Sequence, residues 1–546
     1  MKKACLLWIA FVPLGPLCTS MCFVYFKNNL LTMCMNLECL STTRIVFSQS
    51  EGGINMFWKK KQSESKLVAQ SIAESELSIE ALKKSLVQME DAEFVEIDMS
   101  DIRKIHLVYI RTLIDQEKLN ESIIKPLTNC SKPSIQDCIV NSSIIPIPTF
   151  IEAKKQLFTG SILFFDSSQN LCLAVPLKNP IGRAIETSET ETILFGAKDS
   201  FSEQIEQNIT LIRRRLPTHE LKAEKFTVGF LSETSVVLMY MEGLTNPDFV
   251  STVKEKISEI NFDLFFDSSQ VAAFLEEHPN SIFPQFQQTD RPDVIAYSLG
   301  LGKITILVDN TPFALVAPIT FFHLFQSPED YINRWVVASF LRIIRYVSFI
   351  LSVTLIPFYV ALTTHHYQMI PIQTLLVLVD SRSKLPFTPF WEALIMLIFI
   401  EIIKEASLRM PTKTGQTLGV IGGIVIGQAA VDAGFASKVL IVMVGISTIA
   451  SFLIPNYLMT KANSLIQLML LVFSSLLGLI GIALGIIAIL AHLNGLSSIK
   501  QPYFSPVSPF FRKDWIDLFI RGPLVKMKER PEHLKPLKLK RYKTRR

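Results

Sequence analysis

Residues 336–493 form a long apolar block interrupted by few charges, and this block limits what the rest of the chain can be. Backbone placed in lipid must satisfy its own N–H and C=O groups, so the block is expected to be helical. Five apolar segments are read in it: 336–363, 390–403, 415–434, 439–458 and 464–491. The third, GQTLGVIGGIVIGQAAVDAG, is not plain lipid filler. Gly415, Gly419, Gly423 and Gly427 recur every four residues and form one smooth helical stripe on which another backbone can approach closely. Thr417, Ile421, Ile424, Gln428 and Asp432 fall on the opposite side. An ionisable group and an amide one turn apart are costly in hydrocarbon and usually face a bundle interior or water. Two readings stand: a helix lining a pathway through an oligomer or bundle, or a tightly packed helix with Asp432 at the headgroup level.

The remainder of the chain is polar. Of 546 residues 49% are hydrophobic and 19% charged, too apolar for a soluble protein and too charged for a transporter alone. Residues 512–546 carry thirteen Lys or Arg against four Asp or Glu. Beside a membrane block, such a tail reads as a cytoplasmic contact with anionic lipid rather than with nucleic acid. Five of the eight cysteines precede residue 40, and Cys130, Cys138 and Cys172 lack metal-site spacing. A reducing compartment without a disulfide framework is expected. Residues 1–55 are expected to be an upstream extension. Their start mimics a signal peptide, but no small-x-small site follows. Glu51-Gly52-Gly53 can be encoded as GAA GGA GGN, a ribosome-binding sequence just ahead of Met56.

From Met56 the pattern predicts a charged helical lead-in (56–93), two α/β subdomains (94–200 and 201–335), the membrane domain (336–493) and a basic cytoplasmic tail (494–546). The fold class is thus an α/β soluble N-terminal region of two subdomains followed by an α-helical multipass membrane domain. Two hairpins echo each other: ILFFDSSQNLCLAVP ends at Pro176 and ITILVDNTPFALVAP at Pro318. Asn246-Pro247-Asp248 opens a helix, since Pro suits a first helical turn. Arg213-Arg214-Arg215 reads as a solvated or interface charge run, or as a grip for a phosphate or carboxylate. His365-His366 reads as a polar loop. No phosphate loop, nucleophile elbow or metal cluster is present in the sequence, and neither catalysis nor a cofactor is expected.

Trp335, Arg342 and Arg345 at the start of the first span suit anchors at the cytoplasmic interface. If the front and the tail both stay cytoplasmic, the number of crossings is even, so one of the five segments does not fully cross. Segment 390–403 is short for a span and carries Glu392 and Glu401, which makes it the candidate. Glu392, Gln428 and Asp432 are then candidates for a cation pathway; Lys404, Arg409 and Lys413 are alternative partners for the glutamates.

The runs RRRL (213–216), EKFTVG (224–229), EGLTNPDFV (242–250), FPQFQQTDRPD (283–293), ILVDNTPFALVAP (306–318) and FQSPEDYINRW (325–335) are specific and collinear. With LPFTPFWEALIMLIFIEIIKEASLRMP (385–411) and the glycine-striped segment 415–434, the chain resembles the A subunit of the GerA-type spore germinant receptors. The likeness spans 56 to about 517. It implies a multipass protein of the inner endospore membrane, working with a transporter-like B subunit that is thought to bind the nutrient and a C lipoprotein. It further implies a ring of copies, a pentamer in the family proposal, forming a nutrient-gated channel for monovalent cations. In that reading Ile421 and Ile424 form an apolar gate that closes by dewetting. The rival is a non-conducting subunit that scaffolds the B partner.

Overall fold

A computed structural model describes residues 26–27, 30–31, 77–98, 104–128, 138–139, 143–166, 171–179, 191, 195–383, 385–409 and 427–541. The chain divides into two units, Met1–Ile72 and Ala73–Arg546. All that follows concerns the second.

The first part of this unit holds two five-stranded antiparallel sheets. Helix α1 (Ile79–Ser85) is capped by Ser78, whose side chain accepts from the Ala81 N–H. Strands β1 (Ala92–Asp98), β2 (Lys104–Ile110), β3 (Ile145–Pro146), β4 (Ser161–Asp166) and β5 (Leu171–Pro176) pair in the order β1-β2-β4-β5-β3. Between β3 and β4 lies α2 (Phe150–Phe158). After α3 (Ile205–Arg215) the second sheet uses β6 (Leu221–Val228), β7 (Thr234–Met241), β8 (Gln287–Thr289), β9 (Ile304–Val308) and β10 (Ala314–Ala317). Its order is β6-β7-β9-β10-β8, the order of the first sheet repeated. The two hairpins that echo in sequence are the equivalent pairs β4–β5 and β9–β10.

Each sheet is covered on both faces, which explains why its central strands read as apolar runs rather than strict alternation. In the second sheet Val236 and Leu238 pack with α4 (Pro247–Glu259) and α5 (Ser268–Leu275). The alternate residues Val237, Met239 and Met241 pack with α3 and α6 (Pro292–Leu301). Asn246 caps α4 through the Asp248 N–H, with Pro247 at its first turn. The arginine run resolves at Arg213, fully buried and bidentate to Asp91 at 2.6 Å, tying the two sheets together. Against the expectation of a chain without a disulfide framework, Cys138 is disulfide-bonded, whereas Cys172 is free and buried.

The helical region follows: α7 (Trp335–Thr364), α8 (Ile372–Arg382), α9 (Pro389–Leu408), α10 (Gly427–Asp432), α11 (Lys438–Phe452) and α12 (Tyr457–Gly495). Helices α7 and α12 are long and apolar enough to cross a membrane. Segment 390–403 lies within α9, a helix of 20 residues, about 30 Å long at 1.5 Å per residue.

Helix α12 is not straight. Gly478 takes φ 61°, ψ −136°, which no helix accommodates and which favours glycine. The chain reverses there. A Cβ on Gly481 would strike the backbone carbonyl of Phe473, and one on Gly485 would come within 2.5 Å of Leu470 Cδ2. A straight helix would hold Gly485 and Leu470 about 22 Å apart. Segment 464–491 is therefore two antiparallel half-helices and not one rod. Its apex rests on the end of α7, where His365 Nε2 donates at 2.8 Å to the Ser475 carbonyl exposed by the break.

Beyond α12, strands β11 (Ser497–Ser498) and β12 (Gln501–Pro502) begin a tail that packs back on the second sheet. Tyr503 is fully buried, its hydroxyl donating to the Pro284 carbonyl at 2.6 Å. The Leu537 N–H donates to the Leu244 carbonyl at 2.9 Å. Through residue 541 the tail is folded protein.

Candidate functional site

Among the described residues the helical region buries several polar side chains, and two groups of them lie along α7. The first lies at the root of α7. Arg342 is fully buried; its Nε donates to Asp330 Oδ2 at 3.0 Å and its Nη1 to Asp517 Oδ1 at 2.8 Å. Arg345 Nη1 donates to both Asp330 oxygens, at 2.8 and 2.9 Å, and to the Phe325 carbonyl at 3.3 Å. Tyr331 donates to Asp517 Oδ2 at 2.8 Å. This corrects the reading of Arg342 and Arg345 as lipid-interface anchors. Both sit where an interfacial arginine would in sequence, but the 325–331 linker and the tail wrap over them and supply carboxylates. Trp335, 46% exposed, remains on the surface.

The second group lies further along the bundle. Ser352 Oγ donates to Asn463 Oδ1 at 2.7 Å. Ser447 Oγ donates to the Ser352 carbonyl at 2.9 Å, and Gln467 Nε2 to Ser447 Oγ at 2.8 Å. All four residues are buried. The contacts Ser352–Asn463 and His365–Ser475 run in parallel, whereas Ser352–Ser447 and Tyr359–Ser437 run antiparallel. The first half of α12 therefore follows α7, and α11 opposes it. Next to this group, α9, α11 and α12 enclose a cleft of about 620 Å³ lined by Ser447, Thr448, Ser451, Ser464, Gln467 and Glu401, among others. Glu401 accepts from Ser464 Oγ at 3.1 Å and lies 3.5 Å from Lys404. Glu405, Lys404 and Arg409 also line it, so the cleft carries balanced charge beside its hydroxyl and amide groups and suits ordered water or a small ion. The signal was in the sequence: Asn463 and Gln467 stand one turn apart inside an apolar run, and the reading passed over them.

The sequence-predicted residues are distributed as follows. Glu392 is fully buried in the first turn of α9. Its Oε1 accepts the backbone N–H of Ser437, the N-cap of α11, at 2.5 Å, and its Oε2 lies 3.9 Å from Arg382. A carboxylate suits the unpaired N–H groups at a helix start. Gln428 and Asp432 share one exposed face of α10, with Nε2 3.3 Å from Oδ1. The structure brings these two together and leaves Glu392 apart, turned into the protein. Gly427 opens α10, its ideal Cβ 3.9 Å from Ile441. Gly415, Gly419, Gly423, Ile421 and Ile424 lie outside the described residues.

The family described as Bacillus/Clostridium GerA spore germination protein matches residues 80–533. Spore germination protein GerQA of Bacillus cereus is 38% identical over 461 residues, 83% of this chain and 92% of that one. Spore germination protein KA of Bacillus subtilis is 34% identical over 478 residues, covering 85% of this chain and 87% of that one. An uncharacterized membrane protein of Bacillus subtilis, YfkQ, is 34% identical over 78% of this chain and 84% of its own length. The N-terminal domain of the A subunit of the Bacillus megaterium spore germinant receptor GerK3 aligns with a TM-score of 0.35 at 23% identity, covering 45% of this chain and 96% of that one. With its sheets, its ion cluster and its helical region all inside the matched residues, the chain belongs to the GerA family of spore germination proteins.

Proposed function

We propose that this chain is the A subunit of a nutrient germinant receptor that initiates spore germination, and that copies of it line a cation pathway. The family match across residues 80–533 carries the receptor reading. The polar cleft beside Glu401 supports the pathway, since hydroxyl, amide and carboxylate groups are costly in an apolar bundle and usually face its interior or water. In this reading B and C subunits complete the receptor and the inner spore membrane holds it. The glycines of 415–427 pack protomers, Gln428 and Asp432 attract cations, and Ile421 with Ile424 closes the path by dewetting.

Topology fits the same reading. With α12 counted as two strokes, the five apolar segments make six traverses, an even number, with 390–403 counted as a full one. The soluble region and the tail then share one side, the spore core, without a re-entrant segment. Potassium release from dormant spores carrying Ile421→Ala tests the proposal, once the protein is shown to reach normal levels. Release without nutrient is expected. Unchanged dormancy together with unchanged triggered release refutes the gate and favours the rival, a non-conducting subunit that scaffolds the nutrient-binding partner.

A further inference from the structure

A cavity of about 590 Å³ opens between the second sheet's domain and the folded tail. Its lining includes seven lysine or arginine side chains against three carboxylates. Two of the carboxylates are already engaged: Asp514 accepts from His533 Nδ1 at 2.7 Å, and Asp517 is held by Arg342 and Tyr331. The third, Glu529, faces Lys513 at 3.1 Å. Lys526 and Lys528 are exposed and form no ion pair among the described residues. Arg530 donates from Nε to the Gly300 carbonyl and from Nη1 to those of Lys538 and Lys540, and it forms no ion pair among the described residues.

The decisive group is Lys303, on the wall formed where α6 gives way to β9. It is 4% exposed and makes no ion pair among the described residues. Its Nζ meets His323 Nε2 at 3.2 Å, and that nitrogen is also engaged by Gln287 Oε1 at 2.7 Å. One imidazole nitrogen serves one hydrogen bond, as donor or as acceptor. That ring nitrogen is shared between two neighbours, so it serves the lysine at most in part, and it carries no countercharge. A buried ammonium without a carboxylate partner is costly, and burial pushes this one down to about 7. It stands at the edge of a space large enough for a small molecule and ringed by further cations. An anion entering the cavity would supply the missing countercharge.

We propose that this cavity binds a phosphate-bearing ligand, with Lys303 as its buried anchor and Lys526, Lys528 and Arg530 around the entrance. Phosphate suits the set because it offers several acceptor oxygens to separate point-charge donors. The volume leaves room for an organic body beside the phosphate. Two sources share this chemistry: a soluble phosphate compound, or the headgroup of an anionic phospholipid. The cavity borders the turn Phe321–Phe325, whose Phe325 ring lies 5.2 Å from Phe349 of α7. An occupant would therefore sit at the root of the helical region.

The test uses the full chain in neutral detergent, titrated calorimetrically with inorganic phosphate. A parallel set in nanodiscs of phosphatidylglycerol or phosphatidylcholine is compared by thermal unfolding. Lys303→Met is expected to weaken phosphate about thirtyfold, as for truncation of one partner of a buried charge pair. Lys303→Arg should retain binding within a few-fold, and the exposed Lys528→Ala should lose a few-fold. Phosphate binding that depends on Lys303 assigns the soluble source. Protection by phosphatidylglycerol alone, lost in Lys303→Met, assigns the headgroup. If neither probe binds, or both bind Lys303→Met as they bind the parent, the proposal is overturned.

Discussion

Asp330→Asn should destabilise the chain more than any other single substitution at the root of α7. Asp330 is 1% exposed and accepts from two guanidinium groups, Arg342 Nε at 3.0 Å and Arg345 Nη1 at 2.8 and 2.9 Å. With Asp517 the cluster holds two cations and two anions. The substitution keeps the shape and removes one charge, leaving a buried net cation. Breaking a buried pair from one side costs about 3–5 kcal/mol, mostly the penalty of the stranded charge. Arg342 would keep the Asp517 carboxylate, whereas Arg345 would keep only neutral acceptors, the Asn amide oxygen and the Phe325 carbonyl at 3.3 Å. Arg345 is thus the stranded partner, and the compensating change is specific. Asp330→Asn with Arg345→Met should return to within about 1 kcal/mol of the parent, as buried pairs replaced whole often do. Asp330→Asn with Arg342→Met should not, because it strands Arg345 and Asp517 together. Thermal unfolding of the full chain in neutral detergent measures this, with a fall of roughly 3–4 °C expected for the single variant. Strictly additive losses in both double variants would refute the account, since additivity means the charges do not see one another.

Two further outcomes follow from the packing. Gly481→Ala places a methyl against the Phe473 backbone, whose carbonyl carbon is 2.6 Å away. It should cost about 3 kcal/mol or more and lower spore levels of the protein by immunoblot. Gly445→Ala in α11 meets nothing within 4 Å and should be neutral or stabilising by up to about 1 kcal/mol. Without phosphate, Lys303→Met should stabilise the chain below about pH 7 and lose that advantage as the pH rises toward 10.5. The folded chain holds this ammonium at about 7 against 10.5 unfolded, so the lysine's full penalty, on the order of 5 kcal/mol, applies below the lower value and vanishes above the higher. A difference in Tm between the two proteins that is flat from pH 6 to 10, scanned at constant ionic strength, contradicts it.

Sequence periodicity was informative where one pattern maps onto one structure. Apolar strands flanking turn residues gave both β4–β5 and β9–β10, and Asn246-Pro247 marked the start of α4. The edge strands β3 and β8 were not legible, because two or three residues carry no period. The reversal inside α12 was hidden for another reason: helical periodicity and hydropathy run unbroken through Gly478, and only its backbone angles break the rod. Arg342 and Arg345 misled because an arginine at the start of an apolar helix looks the same whether lipid or a distant carboxylate receives it. Asp330 and Asp517 lie 12 and 175 residues from Arg342, and no local pattern joins them to it. In the bundle, Asn463 and Gln467 were visible as polar residues in apolar sequence. Their partners Ser352 and Ser447 were not, since serine is common in such helices and bonds its own backbone.

The two polar groups along α7 add little stability that well-packed apolar residues would not supply, so their value lies elsewhere. Apolar helix surfaces look alike from turn to turn, and a helix held only by leucine and isoleucine can rotate or slide at small cost. Arg342 and Arg345 lie three residues apart on one face, and Asp330 can accept from both only when α7 has one rotation. Ser352 meets Asn463 and Ser447 only at one axial position of α11 and α12. We read both groups as devices that fix register. The compensated variant, Asp330→Asn with Arg345→Met, separates register from stability, because it restores neutrality without restoring the forked contact. Spores carrying it should contain normal amounts of a stable protein and still release potassium slowly after nutrient. Normal release from those spores would mean that apolar packing alone holds α7 in place, and the register reading would fall.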